Sequence, residues 1–575
     1  MAVMSRRRFF ALGLLILFAA IGLRTVWLRA DPPTTSVGIV WHDEGAWVHN
    51  ARNKALWGSW QTDAWNPVYI APVFTALEYG AFEVFGVGTW QARTVPVVSG
   101  VAAVLLILAG LAAIAGPRVA LVGGALAATN YIFVMWNRAA LMESTMTAFI
   151  VLSWATYARA GRRPAWGLVA GVAAVLAFFT KAAAAFFIAA LALDAVVSIV
   201  LGRRTPAPGT RGETRAAWMT LAGLAIAAAA AAAFFVLPHW ADYQFYNWEM
   251  TVTRKPSYAW RDLINRASWL PVVQDFFSRM WLLVVGAAVS LAAIVARWRT
   301  AQPAERLLVL WVLVGLLELT VHDSGNERRY VMFIPALIAL ASLLFAPDRS
   351  LLPQSLVSAP ARTKWIAVPL VLLLGYLVFG SVVRLAFLDQ VRPEVGNFKT
   401  TVRLSAGLAG LAALVLLWRW SAVVGWLAAR RIPATALAGL LIVSFGWNLG
   451  EFGAWARHHA ELNYLASVEI GRVLPPGTLV QGKLANGLAL ENRIRPVFVG
   501  RGFGNYTDRL TRDDVRYILT YVLPKLGYES QAASGLIQEI LDRYPNRRTV
   551  LELDVDETPE TDRAVLIDKQ PHARN

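Results

Sequence analysis

Residues 94–136 read TVPVVSGVAAVLLILAGLAAIAGPRVALVGGALAATNYIFVMW, two apolar runs hinged at Gly116-Pro117-Arg118. Each run has about the 20 residues that a helix needs to cross a hydrocarbon core. Neither alternates in hydrophobicity as a barrel strand would. In lipid, backbone polar groups must be satisfied within the segment, so continuous apolar runs imply helices. The pattern recurs through the chain, whose 575 residues are 57% hydrophobic and 16% charged. A mean hydropathy of +0.49 lies outside the balance of a soluble globular protein. Spans are expected near 9–29, 94–116, 118–136, 140–158, 165–181, 183–201, 217–237, 279–297, 307–321, 331–346, 365–386, 403–418 and 433–449. The expected fold class is α, a polytopic membrane helical bundle of about thirteen transmembrane helices.

The basic residues test this map, because short cytoplasmic loops carry Lys and Arg. Arg6 to Arg8 precede the first span, and Arg118, Arg159 to Arg163, Arg203 to Arg215, Arg297 to Arg306, Arg349 to Lys364 and Arg419 to Arg431 fall in alternate loops. The N-terminus is therefore expected inside and the C-terminus outside a plasma (inner) membrane, the first run serving as an uncleaved anchor. The net charge of +17 then follows from topology, with attraction to anionic membrane lipids as a by-product. No nucleic-acid partner is needed to explain it. The chain has no cysteine, which excludes disulfides, thiolate chemistry and Cys-ligated metal.

Three outer segments exceed simple turns. Residues 30–93 include the amphipathic piece Val68 to Phe85, expected to lie along the membrane surface. Residues 238–278 (PHWADYQFYNWEMTVTRKPSYAWRDLINRASW and beyond) have the aromatic density of an interfacial segment. Both are assigned to a transmembrane domain over 1–449. Residues 450–575 read as a small extracytoplasmic soluble α/β domain, with strand-like runs TLVQG, PVFVG, RYILTYVL, TVLELDV and AVLIDK and a helix around Gly535 to Arg543. The inner loops are short and carry no phosphate-cradling Gly-rich motif. With the elaborate polar structure outside, away from soluble nucleotides, an energised substrate must arrive already loaded onto a lipid.

Candidate residues cluster at outer span ends. Asp43 and Glu44 stand in WHDEGAWVHNARNKALW between interfacial tryptophans, where the plain alternative is a solvated loop. Glu143 follows Asn137-Arg138 where one span surfaces and the next begins; it also suits a helix N-terminus. Lys181 interrupts AFFTKAAAAFFIAA, and an ionisable group in apolar sequence is a functional candidate by default, with snorkelling as the alternative. His322-Asp323-Ser324-Gly325-Asn326-Glu327-Arg328-Arg329-Tyr330 puts paired arginines outside, against the inner bias. An arginine fork suits phosphate, and pairing with Asp323 or Glu327 is the alternative.

Five motifs in order resemble the glycosyltransferase C superfamily, in the branch of protein O-mannosyltransferases and lipid A aminoarabinose transferases. They are the Asp-Glu pair in HDEGAWVHNARNKALWGSW, Gly86 to Arg93 as Gly-x-x-x-x-Gln-Ala-Arg, Arg138 with Glu143 five residues on, Thr180-Lys181, and Glu-Arg-Arg-Tyr followed by Pro335, all within about the first 350 residues. The resemblance implies inverting transfer of a sugar from a polyprenyl-phosphate donor to a lipid, glycan or protein acceptor outside the membrane. By that resemblance Asp43 is the base, its apolar and aromatic walls raising its affinity for protons. Glu44 orients the acceptor or the local helix, and Glu143 is the second acid. Lys181, Arg328 and Arg329 hold the donor phosphate; Tyr330 and His322 add hydrogen bonds, and Arg138 supports. A divalent metal ion is a further candidate, on Asp43, Glu143 and His322; no other cofactor is implied. Two features depart from the branch. The first outer loop has Trp65-Asn66-Pro67 where aminoarabinose transferases carry Lys-Pro, and no loop can hold the β-trefoil that protein mannosyltransferases insert. The rival class is a transporter or flippase for a lipid-linked or polar substrate, which would show repeated halves and charges at mid-depth.

Overall fold

A computed structural model describes residues 4–34, 37–204, 210–249, 257–269, 278–321, 327–346, 397–420, 434–500, 505–521, 537–555 and 563–570, with isolated positions between 368 and 422. Every expected span except 365–386, which falls largely outside the described residues, coincides with helix. The first half comprises α1 (Arg6–Thr25), short α2 (His42–Trp47) and α3 (His49–Trp57), α4 (Pro72–Phe85), α5 (Thr89–Ala115), α6 (Pro117–Thr129), α7 (Tyr131–Trp136), α8 (Met142–Ala160), α9 (Ala165–Thr180) and α10 (Ala185–Arg204). Then follow α11 (Thr210–Ala231), α12 (Trp240–Gln244), α13 (Trp260–Trp269), α14 (Trp281–Ala296), α15 (Pro303–Val321), α16 (Ile334–Ser342), α17 (Asn397–Trp418), α18 (Ala434–Arg457), α19 (Leu462–Val473) and α20 (Lys483–Gly487). Among the described residues, five helices are long and apolar enough to cross a membrane, and five more are shorter and apolar.

Local chemistry sets the boundaries. Gly116 ends α5 at φ 86°, a conformation open to glycine, and Pro117 opens α6, where its missing N–H is not needed. The expected span 118–136 is two helices instead of one. Asn130 leaves helical geometry and its side chain accepts the Phe133 N–H, capping α7. Helices α9 and α11 pack backbone to backbone: a Cβ at Gly171 would lie 2.4 Å from the Thr220 carbonyl, and one at Gly223 would lie 2.3 Å from that of Leu168. Small residues at such crossings let membrane helices approach closely.

Hydrogen bonds identify the two ends of the bundle. Arg159 donates to the Ala109 carbonyl at 2.7 Å and Trp154 to that of Ala304 at 3.1 Å. This end therefore gathers the basic turns after α8 and before α15. The opposite end gathers the starts of α5 and α8, the end of α9 and the turn 327–330 beneath α2 to α4.

The five strand-like runs of the tail form one sheet, in the order β2-β1-β3-β5-β4. Strands β1 (Leu479–Gln481), β2 (Arg495–Val497) and β3 (Tyr517–Tyr521) are parallel. β5 (Arg563–Asp568) runs antiparallel to β3 with Leu519 opposite Leu566, and β4 (Arg548–Asp554) runs antiparallel to β5. Residues 537–541 are helical, inside the expected stretch. In the second outer segment Trp240, Trp248 and Trp260 are exposed, as suits an interfacial belt.

Candidate active site

Helix α2 buries both acids of His42-Asp43-Glu44, but sends them to different partners. Asp43 Oδ2 accepts from Arg328 Nη1 at 2.7 Å, and Asp43 Oδ1 pairs with Lys483 Nζ at 2.8 Å. Arg328 Nε also donates to Glu143 Oε1 at 2.8 Å, so one guanidinium bridges two carboxylates. Lys181 Nζ binds the same Glu143 oxygen. The local backbone explains this convergence. Glu143 lies in the first turn of α8, Lys181 is the extended residue (φ −159°, ψ 126°) that breaks α9 from α10, and Arg328 lies in the 3-10 turn 327–329. Among the described ion pairs of this cluster, two acids face three cations. The carboxylates retain 5% and 1% side-chain exposure, while Arg328, Lys181 and Lys483 retain 15%, 15% and 11%. An approaching anion therefore meets cations first.

Glu44 is a bracket. Its oxygens accept from Arg93 Nε at 2.8 Å and Nη2 at 2.7 Å, and from the Ala140 N–H at 2.7 Å. Arg93 also donates to the Leu28 and Ala30 carbonyls at 2.8 and 2.7 Å. Bidentate guanidinium–carboxylate pairs fix geometry as well as charge, so Glu44 locks α2 against α5 and the α7–α8 link.

Several expected residues have other partners. Arg138 donates to the Leu23 and Trp27 carbonyls at 3.1 and 2.8 Å and lies over the Trp455 ring, clamping the end of α1. Arg329 stays beside the cluster, where it reaches Glu318 at 3.5 Å and its charge acts on Lys181. Tyr330 is fully buried beneath the turn, 6.4 Å from the Phe333 ring. His322 is outside the described residues.

The expected raised proton affinity of Asp43 is reversed. Burial pushes its carboxyl up, but Lys483 and Arg328 outweigh burial and hold it far below the usual carboxylate range. His42 is pushed down to about 3 by burial, then by Lys483, and is neutral at physiological pH. Both Asp43 oxygens and Glu143 Oε1 are engaged by ammonium and guanidinium groups, while Glu143 Oε2 has no hydrogen-bond partner and the third expected ligand, His322, lies outside the described residues. Among the described residues no three His, Asp or Glu side chains group to hold a metal ion.

Lys483 escaped the sequence analysis. In QGKLANG it is an ordinary lysine of a soluble-looking segment, and only the fold brings it to Asp43. The tail interlocks with residues 42–66 throughout. Arg52 donates to the Ala489, Asn492 and Ile494 carbonyls, each at 3.0 Å. His49 contacts Asp63 at 2.8 Å and Asn486 at 3.0 Å, and Asp63 accepts from the Phe498 N–H at 3.2 Å.

Residues 69–235 match the family described as dolichyl-phosphate-mannose-protein mannosyltransferase. Apo ArnT from Cupriavidus metallidurans is similar in structure with a TM-score of 0.51 at 17% identity, over 98% of this chain and 97% of that one. The same protein bound to undecaprenyl phosphate gives 0.48 at 16% identity over 98% of both chains. The oligosaccharyltransferase AglB from Archaeoglobus fulgidus, in complex with an inhibitory peptide and a dolichol-phosphate, gives 0.46 at 12% identity over 93% of this chain and 72% of that one. No curated protein sequence matches significantly. Residues 69–235 are thus similar to that mannosyltransferase family, and the chain, with several helices long and apolar enough to cross a membrane, has the fold of apo ArnT.

Proposed function

We propose that the chain transfers one sugar, a hexose or pentose, from a polyprenyl-phosphate carrier to an acceptor hydroxyl, with inversion, at the extracytoplasmic face of the plasma (inner) membrane. The observation that carries this reading is the Arg328 bridge between Asp43 and Glu143, flanked by Lys181 and open toward anions. The description of the matching family names a donor of that class. Charge supports this side: the basic turns gather at the opposite end, and the positive-inside bias favours the cytoplasm for that end and the N-terminus.

In this reading the donor phosphate binds Lys181 and Arg328. Drawing Arg328 toward phosphate releases Asp43 Oδ2 and relaxes one of the two fields that hold its proton affinity down. The acceptor oxygen attacks the anomeric carbon and its proton passes to Oδ2. The bond from that carbon to the phosphate oxygen breaks, and the electron pair leaves with phosphate onto Lys181 and Arg328. Phosphate is a good leaving group, so one base suffices and no covalent sugar–enzyme intermediate is required. Glu143 holds both phosphate-binding cations in place, and Glu44 holds the helix that carries the base.

The test supplies full-length protein in lipid with a radiolabelled polyprenyl-phosphate sugar and membrane acceptors. Wild type is expected to move label off the carrier, and Asp43→Asn to lose at least a hundredfold of that rate. Unchanged transfer by Asp43→Asn would remove Asp43 from the role of base. Label crossing vesicles without leaving its carrier would replace the enzyme with a transporter.

A further inference from the structure

The three parallel strands of the tail point their carboxyl ends at the reaction centre. Lys483 follows β1 and pairs with Asp43. Tyr521, the last residue of β3, shares a 3.0 Å hydrogen bond with His42 Nδ1. Phe498, just past β2, binds Asp63 through its N–H. Ligands in sheets with parallel strands commonly lie beyond those ends. Here that edge is a wall of the site.

We propose that Lys483 is a positioning residue of the transfer reaction: it keeps Asp43 Oδ1 fixed, so that when the donor phosphate draws Arg328 away, Oδ2 alone turns to the acceptor proton. The proposal rests on the reading of Asp43 as base. Its physical ground is that the two oxygens of Asp43 are held by cations of different origin, Oδ2 by the turn between two spans and Oδ1 by the tail. Arg328 also belongs to the Glu143–Lys181 set that faces phosphate. Lys483 stands on a base that cannot slide. A Cβ at Gly45 would lie 1.9 Å from the Asn486 carbonyl oxygen, and one at Gly487 would lie 2.7 Å from His42 Cβ, so α20 and α2 meet backbone to backbone. Gly482, at φ 121°, turns the chain from β1 into α20 against the Leu519 carbonyl, which aims the lysine at α2. A carboxylate anchored through one oxygen retains one defined direction for its second, the preorganisation that catalysis requires.

The experiment measures turnover of the radiolabelled polyprenyl-phosphate sugar and, separately, binding of the sugar-free polyprenyl phosphate. Lys483→Met is expected to lower kcat by at least about thirtyfold, while carrier affinity stays within about twofold. Lys483→Arg restores most of the rate. Gly487→Val, which shifts α20 but keeps the lysine charge, is expected to reproduce the loss of kcat. Arg328→Met, in contrast, weakens carrier binding by at least about tenfold. Wild-type kcat in Lys483→Met would overturn the inference, as would a parallel loss of rate and carrier affinity, which would make Lys483 a phosphate ligand. If the wild type transfers no sugar, the proposed function fails and this inference fails with it. An active wild type with an indifferent Lys483→Met sinks this inference alone.

Discussion

Two buried ion clusters in this molecule use the same side chains toward opposite ends. In the half of the bundle away from α2, Asp194 Oδ1 accepts from Arg306 Nε at 2.8 Å and its Oδ2 from the Tyr157 hydroxyl at 2.8 Å. Arg306 fills its other nitrogens with the Ser198 hydroxyl at 2.6 Å and the Ala301 carbonyl at 2.7 Å. One acid, one base and 0–3% exposure leave nothing for a ligand, and this cluster is a staple between α10 and α15. The cluster at Asp43 shares one guanidinium between two acids and keeps its residual exposure on the cations. A buried ion pair is therefore no sign of function by itself. What sets the Asp43 cluster apart is that its residual exposure lies on the cations and that one guanidinium serves two acids.

The largest test of this contrast is Asp43→Asn. It is expected to remove between about a hundredfold and ten-thousandfold of transfer per folded molecule, in addition to any stability lost with the charge that Arg328 and Lys483 share. The staple should behave in reverse. Arg306→Met strands the buried Asp194 charge and is expected to destabilise by about 3–5 kcal/mol, with kcat per folded molecule unchanged. Pairing it with Asp194→Leu should recover most of that stability, since removing both partners of a buried pair is commonly near neutral. No double substitution at Asp43 and Arg328 should recover activity. Thermal melts beside turnover assays would show whether the two clusters separate in this way. Arg138→Met is intermediate: it loses two carbonyl partners and a ring contact, and is expected to lower stability by about 1–3 kcal/mol without altering carrier affinity.

The smallest effect is on pH dependence. The folded-state pKa of Asp43 is depressed, so the cations contribute stability that is present above the unfolded carboxyl pKa of about 3.9 and is lost as pH falls through the folded value. Lys483→Met removes one depressing charge. Its acidic limb of kcat/KM is expected to move upward by about one pH unit, equal to about 1.4 kcal/mol. A limb that stays in place would assign the depression to Arg328 alone.

What the sequence made legible was charge out of context. Glu143, Lys181 and Arg328 stand out because their neighbours are apolar or because they oppose the charge bias of their side, and the structure brings all three to Asp43. The same signal also picked out Arg138 and Arg329, since an arginine that satisfies carbonyls or reaches Glu318 beside the cluster looks identical in sequence to one that awaits phosphate. Lys483 was invisible for the converse reason: a lysine in a polar segment breaks no pattern. The proton affinity of Asp43 was misread with it, because Trp41 and Trp47 are near in sequence and the ammonium that overrides them is not. The break at Asn130 was readable in principle as a capping asparagine, but the hydropathy of the run concealed it.

The contact of α20 with α2 also has a consequence for biogenesis. The centre draws on residues 43, 143, 181, 328 and 483, and the Arg52–Ile494 bond spans 442 positions. Contacts of such separation form late, after the loop between them has been closed. During synthesis the helices before residue 450 and the tail must both be made before Asp43 acquires its second cation. The cluster at Asp43 is thus among the last parts of the molecule to form, and a nascent chain still short of Lys483 already has Arg328 and Lys181 beside Glu143 but not the cation that holds Asp43 Oδ1; in the proposed reading, it lacks the set direction of its base.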